Sequence, residues 1–341
     1  MRAILQQLSE KKSFTENEMY ETVSKFFSEE VTDSEMAAFL MGLKMKGETV
    51  EEIVGFVKAL KEKSLSFTKG IPNCLDNCGT GGDGSKSFNV SSTSAFVIAG
   101  AGIRVAKHGN RSISSKTGSA DVLENLGIAL NLSPERIEEI LEEAGIAFLF
   151  AQHVHPRMKR IIKVRRELGI PTVFNLIGPL TNPIELDYQL LGIYRKDYTM
   201  MFAEVLKKLG RKRAVVLNGA GSMDEASLQG ENELVILQNG EITKKILHPE
   251  EVGLSVYDNS AIRGGDAKEN ADILVRVLKG EKGAYRDTVL LNAGIGIFTG
   301  AKANTIEEGI KLAAESIDSG AALEKLEKLV KLSKELQKEG I

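Results

Sequence analysis

The hydrophobic spacing of this chain changes character near residue 70, from helical throughout to short apolar runs alternating with helices. A chain patterned in this way divides its core between a helical unit and a sheet with crossover helices. Before the change, Thr15-x-x-Glu18, Thr32-x-x-Glu35 and Thr49-x-x-Glu52 spell reciprocal helix starts. In such a box the threonine hydroxyl accepts an amide three residues on, and the glutamate returns to the threonine amide. Apolar sets at helical spacing follow each start: Met19/Phe26, then Met36/Phe39/Leu40/Leu43, then Ile53/Phe56/Val57/Leu60. Gly47 is a natural stop between the second and third.

After Asn73 the pattern predicts strands at Cys74–Cys78, Ile103–Ala106, Ile146–Phe150, Thr172–Phe174 and Ala214–Leu217. Leu234–Gln238 and Glu241–Ile246, joined by Asn239-Gly240, predict a hairpin at the sheet's margin. Helices are predicted at Ser91–Gly100, Ala120–Leu126, Pro134–Glu143, His155–Leu168 and Tyr198–Leu209. More follow at Asp266–Leu278, Thr288–Thr299, Ile306–Ile317 and Ala321–Gln337. The fold class expected is α/β: a small N-terminal helical domain over 1–69, and a larger α/β domain over 70–341 with a mostly parallel central sheet flanked by helices. Helices from about 165–195 are expected to join the smaller domain.

A net charge of −3 argues against nucleic acid as a partner, since no global basic field is present. The N-terminal segment turns polar too early for a signal-peptide core, and no apolar run approaches a bilayer span. No membrane association is therefore expected. Two cysteines, Cys74 and Cys78, exclude a disulfide framework and a four-cysteine zinc site, and a reducing, cytoplasmic location is expected.

Chemistry concentrates in two glycine-punctuated segments. In Cys78-Gly-Thr-Gly-Gly-Asp-Gly84, bare backbone amides can approach an anion closely. The run satisfies the dinucleotide pattern G-x-G-x-x-G literally, but its strand is polar and Ser85–Asn89 separate it from any helix, so that reading fails. The second segment, Lys107–Asp121, gathers Lys107, Arg111, Asn110 and four serines: charge and neutral donors for phosphate oxygens. Both follow strands of one sheet, whose common edge is where α/β ligands bind. Two adjacent acids, Asp224-Glu225, follow another strand and suit a hard cation that bridges to phosphates, although a helix N-terminus would also favour them. His153-Val-His155 lacks a third metal ligand nearby. Arg165 is an ordinary surface charge unless a carboxylate reaches it, which a guanidinium grips with two prongs.

Taken in order, Gly79-Thr-Gly-Gly-Asp83, Lys107-His-Gly-Asn-Arg111, Gly118-Ser-Ala-Asp121, Asn175–Pro183 and Asp224-Glu225 resemble the anthranilate phosphoribosyltransferase family. The resemblance covers nearly the whole chain, on to Gly264-Gly-Asp266 and Asp318-Ser-Gly-Ala321. It implies a homodimer formed through the helical domains. It implies that phosphoribosyl pyrophosphate (PRPP) lies over Gly79, Gly82, Asp83, Ser87, Asn89, Val90, Ser91, Ser92, Lys107, His108, Gly109, Asn110, Arg111, Ser112, Ile113, Ser114, Ser115 and Ser119. Anthranilate would sit near Gly79, Asn110, His155, Arg165 and Gly178, and Mg2+ near Ser91, Asp224 and Glu225. His108, Asn110 and Arg165 are the implied catalytic groups, His108 as the nearest candidate base. Ser87 stands where threonine is expected, Pro171 where arginine is frequent, and Asn77-Cys78 where apolar residues are usual. Rival readings are a pyrimidine nucleoside phosphorylase, whose phosphate pattern differs from Lys107–Arg111, and a non-catalytic nucleic-acid-binding paralogue, which would have lost the glycine turn or the acids.

Overall fold

The structure, a computed structural model, describes residues 1–111 and 117–338. Four helices open the chain: α1 (Arg2–Ser9), α2 (Glu16–Ser24), α3 (Asp33–Lys46) and α4 (Val50–Glu62). All three predicted capping boxes form with both reciprocal bonds. Glu52 does more than cap α4. It is buried, accepts from the Phe14 amide at 2.9 Å, and pairs with Lys46 at 2.8 Å, which ties α3 and α4 to the segment between α1 and α2.

The larger part begins with β1 (Cys74–Asp76), α5 (Val90–Gly100), β2 (Arg104–Gly109), α6 (Ser119–Asn125), α7 (Pro134–Ala144) and β3 (Ile146–Phe150). Three short helices follow: α8 (Ala151–Val154), α9 (Lys159–Leu168) and α10 (Phe174–Ile177). Next come β4 (Tyr188–Gly192), α11 (Thr199–Lys208), β5 (Arg213–Asn218), β6 (Asn232–Gln238) and β7 (Glu241–Leu247). Helices α12 (Ala267–Leu278), α13 (Ala284–Thr299), α14 (Ile306–Asp318) and α15 (Ala321–Lys338) close the chain. The seven strands lie in the order β3-β2-β1-β4-β5-β6-β7, with the first five parallel and the β6–β7 hairpin antiparallel at the margin. Asn239 and Gly240 both take positive φ, 52° and 78°, as the hairpin turn requires. The architecture is thus a small helical domain and a larger α/β domain with a mostly parallel, helix-flanked sheet.

Alternate residues of the sheet feed two separate cores. Leu190, Val215, Leu217 and Leu234 face α5 and α12–α14, whereas Leu191, Ala214, Val216, Val235 and Leu237 join α1–α4, α9 and α11. Strand alternation therefore seats the helical domain on one face of the β4–β6 half.

Four sequence expectations are corrected. Thr172–Phe174 is not a strand: Asn175 bonds back to Thr172 through both its amide and its side chain, and the turn leads into α10. The central strand β4 was not anticipated. The helix expected over His155–Leu168 breaks at Pro156 into a 3-10 turn before α9 begins. Finally, Lys107, His108 and Gly109 are not loop: they extend β2 and pair with Phe148, Leu149 and Phe150 of β3.

Candidate active site

Parallel strands end at a common edge, and β1, β2, β4 and β5 all deliver loops there. The loop after β1 contains Gly81, Gly82 and Gly84, at φ 67°, 80° and 72°, a backbone region that side chains disfavour. Thr80 N–H donates to the Gly192 carbonyl at the end of β4 (2.9 Å). Gly81 N–H donates to Oδ2 of Asp224 (2.6 Å), which belongs to the turn after β5. Asp83 accepts from the Ser85 amide and hydroxyl (both 3.0 Å) and from the Asp224 amide (3.4 Å). Glu225 accepts from the Ser91 amide (3.1 Å) in the first turn of α5. Glycine is required for this approach. A Cβ on Gly79 would sit 2.4 Å from Asp224 Oδ2, and one on Gly192 would sit 1.6 Å from the Asp224 carbonyl oxygen. No helix follows Asp224-Glu225, so a helix dipole does not account for the acids; the Gly219–Met223 bridge closes a turn instead.

Burial raises the pKa of Asp224 well above the carboxylate range, reinforced by the charges of Glu225 and Asp83. Glu225 is raised by the same desolvation, opposed by the Lys107 ammonium and seconded by Asp83. Three acids meet here, Asp224 buried and Asp83 and Glu225 half-buried. Among the described residues Lys107 is the cation that answers them, and a hard cation relieves such a donor set. Asp224, Glu225 and the neighbouring Ser91 fit Mg2+ on those grounds.

The exit of β2 carries the second group. Lys107 is buried and points at Asn77, with Nζ 3.5 Å from its carbonyl and 3.4 Å from Oδ1. The His108 amide donates to Asp76 (3.2 Å), while its ring meets His155 edge to face at 5.4 Å. Burial pushes the His108 pKa down to about 3 and the His155 pKa down to about 4, so both rings are neutral. Among the described residues each has a buried Nε2 with no hydrogen-bond partner. Burial thus keeps His108 in the unprotonated form from which a base would start, while weakening its hold on a proton. The two histidines of His153-Val-His155 diverge, since His153 Nε2 contacts the Leu132 carbonyl (2.7 Å).

Several expected phosphate contacts are otherwise engaged. Arg111 pairs with Asp121 (2.6 Å) and Glu124 (2.9 Å) on a partly exposed surface. The Asn89 side chain accepts from Asn270 (2.9 Å), and the Val90 amide donates to Phe88 (2.8 Å). Ser87 Oγ lies 3.2 Å from Ser85 Oγ, and Ser92 Oγ is buried with no partner among the described residues. Gly109 admits Ser119, whose hydroxyl donates to the Asn110 carbonyl (3.3 Å). Asn110 Oδ1 accepts from Gln152 (3.2 Å). Ser112, Ile113, Ser114 and Ser115 lie outside the described residues.

Arg165, on α9, is half-buried over the ring of Phe174 (4.8 Å), and desolvation lowers its pKa. Among the described residues it has no carboxylate partner. Gly178 begins the turn after α10. Asp76, Asn77, Asn182 and Gly192 also belong to this corner and were missed. The first two signalled themselves as polar residues inside a strand; Gly192 carried no signal.

This pairing of a helical bundle with a sheet edge built on a glycine turn and an acidic pair defines a class. Residues 2–64 match the helical bundle domain of a glycosyl transferase family, and residues 71–323 match its a/b domain. The chain is 57% identical over 335 residues to the anthranilate phosphoribosyltransferase of Bacillus cereus strain B4264, and 59% over 335 residues to that of Exiguobacterium sibiricum. These alignments cover 98% of this chain and 98% or 99% of the relative. The Thermus thermophilus anthranilate phosphoribosyltransferase superimposes with TM-score 0.92 at 41% identity, covering 97% of this chain and 99% of that one. A Saccharomyces cerevisiae anthranilate phosphoribosyltransferase in complex with PRPP and Mg superimposes with TM-score 0.89 at 26% identity, covering 98% and 97%. The chain belongs to the anthranilate phosphoribosyltransferase family.

Proposed function

We propose that this cleft transfers the phosphoribosyl group of PRPP to the amine of anthranilate. The products are N-(5-phosphoribosyl)anthranilate and diphosphate, and the reaction is the Mg2+-dependent second step of tryptophan biosynthesis from chorismate. The supporting observation is the convergence of the glycine turn, the first turn of α5 and the acidic pair, joined by the Gly81–Asp224 and Ser91–Glu225 bonds. In this reading the turn amides bind and orient the diphosphate as the C1–O bond breaks. Mg2+ held at Asp224, Glu225 and Ser91 would supply positive charge against the departing diphosphate. Arg165 grips the anthranilate carboxylate and Asn110 helps to aim its amine at C1, where positioning contributes roughly 7–11 kcal/mol in favourable cases. The two neutral histidines orient groups through their free Nε2 atoms rather than by taking protons. Gly178 lies beside them, on the anthranilate side.

The same reading makes the chain a cytoplasmic homodimer paired through its helical domain, with domain limits 1–69 and 70–341. Among the described residues no helix is long and apolar enough to cross a membrane. Met45, on α3, is 74% exposed, an apolar surface that a second copy would cover. Anthranilate fluorescence should fall when the protein, PRPP and Mg2+ are combined, and hold steady when any one is omitted. Steady fluorescence in the complete mixture, with phosphorolysis of thymidine or uridine instead, would overturn the assignment.

A further inference from the structure

We propose that Asp76, acting with Asn182, is a positioning residue that sets the exit of β2 against both halves of the site. The inference rests on the transfer reading above. Its origin is a gap in the sheet. Val105 N–H donates toward β3, to Gly145, so strand alternation turns the Ala106 carbonyl and the His108 amide toward β1. Yet β1 ends at Asp76, because the chain must leave the ladder to form the glycine turn. Two side chains take the place of the missing backbone. Asp76 Oδ1 accepts from the His108 amide (3.2 Å), and Asn182 Nδ2 donates to the Ala106 carbonyl (2.8 Å). The same Nδ2 donates to Asp76 Oδ2 (3.0 Å), which closes the brace.

Each end of the brace leads to a different substrate. Asp76 heads the turn that carries Gly79–Asp83, and Lys107 and His108 lie on the strand it holds. Asn182 ends the Gly178–Thr181 turn, whose Gly178 the resemblance puts beside anthranilate. A carboxylate is specifically required at residue 76. Both of its oxygens face donors, and Asn182 cannot turn over to offer its own oxygen, because Oδ1 already accepts from the Ile184 amide (3.0 Å). An asparagine at 76 would set one N–H group against another. Burial pushes the Asp76 pKa up to about 6, a shift that Lys107, Arg211 and the two hydrogen bonds oppose only in part.

The test measures PRPP binding and turnover separately. In Asp76→Asn, calorimetry with PRPP and Mg2+ should give the unaltered stoichiometry and a Kd within about threefold, whereas kcat should fall at least about tenfold, since misplacement near 1 Å can cost about 10²-fold. A kcat within about twofold of the unaltered chain, or a loss matched by falling stoichiometry, would overturn the proposal. Asn182→Ala reaches the brace from its other end, and supplies the same measurement should Asp76→Asn not fold. If the pair acts as a unit, the double variant loses little beyond the worse single one; losses that multiply would also overturn it. Turnover by the unaltered chain tests the assigned reaction itself, so failure of that reading and failure of the brace are distinguishable.

Discussion

Arg165 holds its charge half-buried above an aromatic ring with no acid beside it among the described residues. A desolvated guanidinium in that condition favours a planar anion, and the ortho carboxylate of anthranilate matches it. Arg165→Ala should raise the anthranilate KM by about 10- to 100-fold, the range for losing a hydrogen-bonded charge, and leave the PRPP KM within about threefold. Equal losses for both substrates in steady-state kinetics would move Arg165 out of the acceptor site. The histidine pair makes a separate statement about pH. Burial holds His108 and His155 neutral, so their ring C–H resonances should show no titration midpoint near 6.5 in a pH series followed by NMR. Because the folded pKa values lie below the unfolded value, the unfolded chain binds more protons from about pH 6.5 down to about pH 4 for His155 and about pH 3 for His108. The contribution is present above that window and is lost as pH falls through it. Midpoints near 6.5 for both rings would show that water reaches them.

At the scale of elements, the end of β4 and the acidic turn after β5 approach so closely that only glycine fits between them. Gly192→Ala should lower stability by about 1–3 kcal/mol, as overpacking does, and raise the Mg2+ concentration that gives half-maximal turnover, because Asp224 must move. Gly70→Ala, where an added Cβ meets nothing within 4 Å, is the control and should change neither. Thermal melts and metal titrations of the two variants decide the matter; equal behaviour would mean that the turn has slack. The elements differ in how plainly they could be foreseen. The capping boxes of α2–α4 are local, since each bond spans three residues, and local chemistry is visible in a sequence. The β6–β7 turn is legible for the same reason. Strand β4 was not, because Tyr188-Gln-Leu-Leu-Gly192 is short, and Gln189 is buried only through bonds to Pro179 and Arg211 from distant segments. Likewise the glycines after Gly79 announced a sharp turn, which Gly81, Gly82 and Gly84 make at positive φ, but nothing local reveals that Arg111 pairs with Asp121 and Glu124.

For the molecule as a whole, the decisive feature is that the helical domain shares a core with the sheet instead of hanging from it. Phe56 of α4 stacks edge to face on Phe174 at 5.1 Å, and Leu191, Phe202 and Val216 are fully buried in the same cluster as Phe39 and Ile53. Polar ties cross the same boundary. The Leu65 amide donates to the Val154 carbonyl (2.8 Å), Lys44 bonds the Pro171 carbonyl (2.6 Å), and Arg160 pairs with Asp33 (2.8 Å). Removing residues 1–69 would strip the cover from α9, α11 and one face of β4–β6, leaving apolar side chains worth about 1.5–3 kcal/mol each in water. That loss is large against the roughly 5–15 kcal/mol that holds an ordinary domain folded. A fragment of residues 70–341 should therefore aggregate or lack the sharp near-ultraviolet dichroism of packed aromatic rings. The intact chain should melt in one calorimetric transition. Two resolved transitions, or a soluble fragment that unfolds cooperatively, would show that the helical domain is an appendage. Arg165 would then sit on a hinge between independent bodies, and its distance from the phosphate cradle would no longer be fixed by packing.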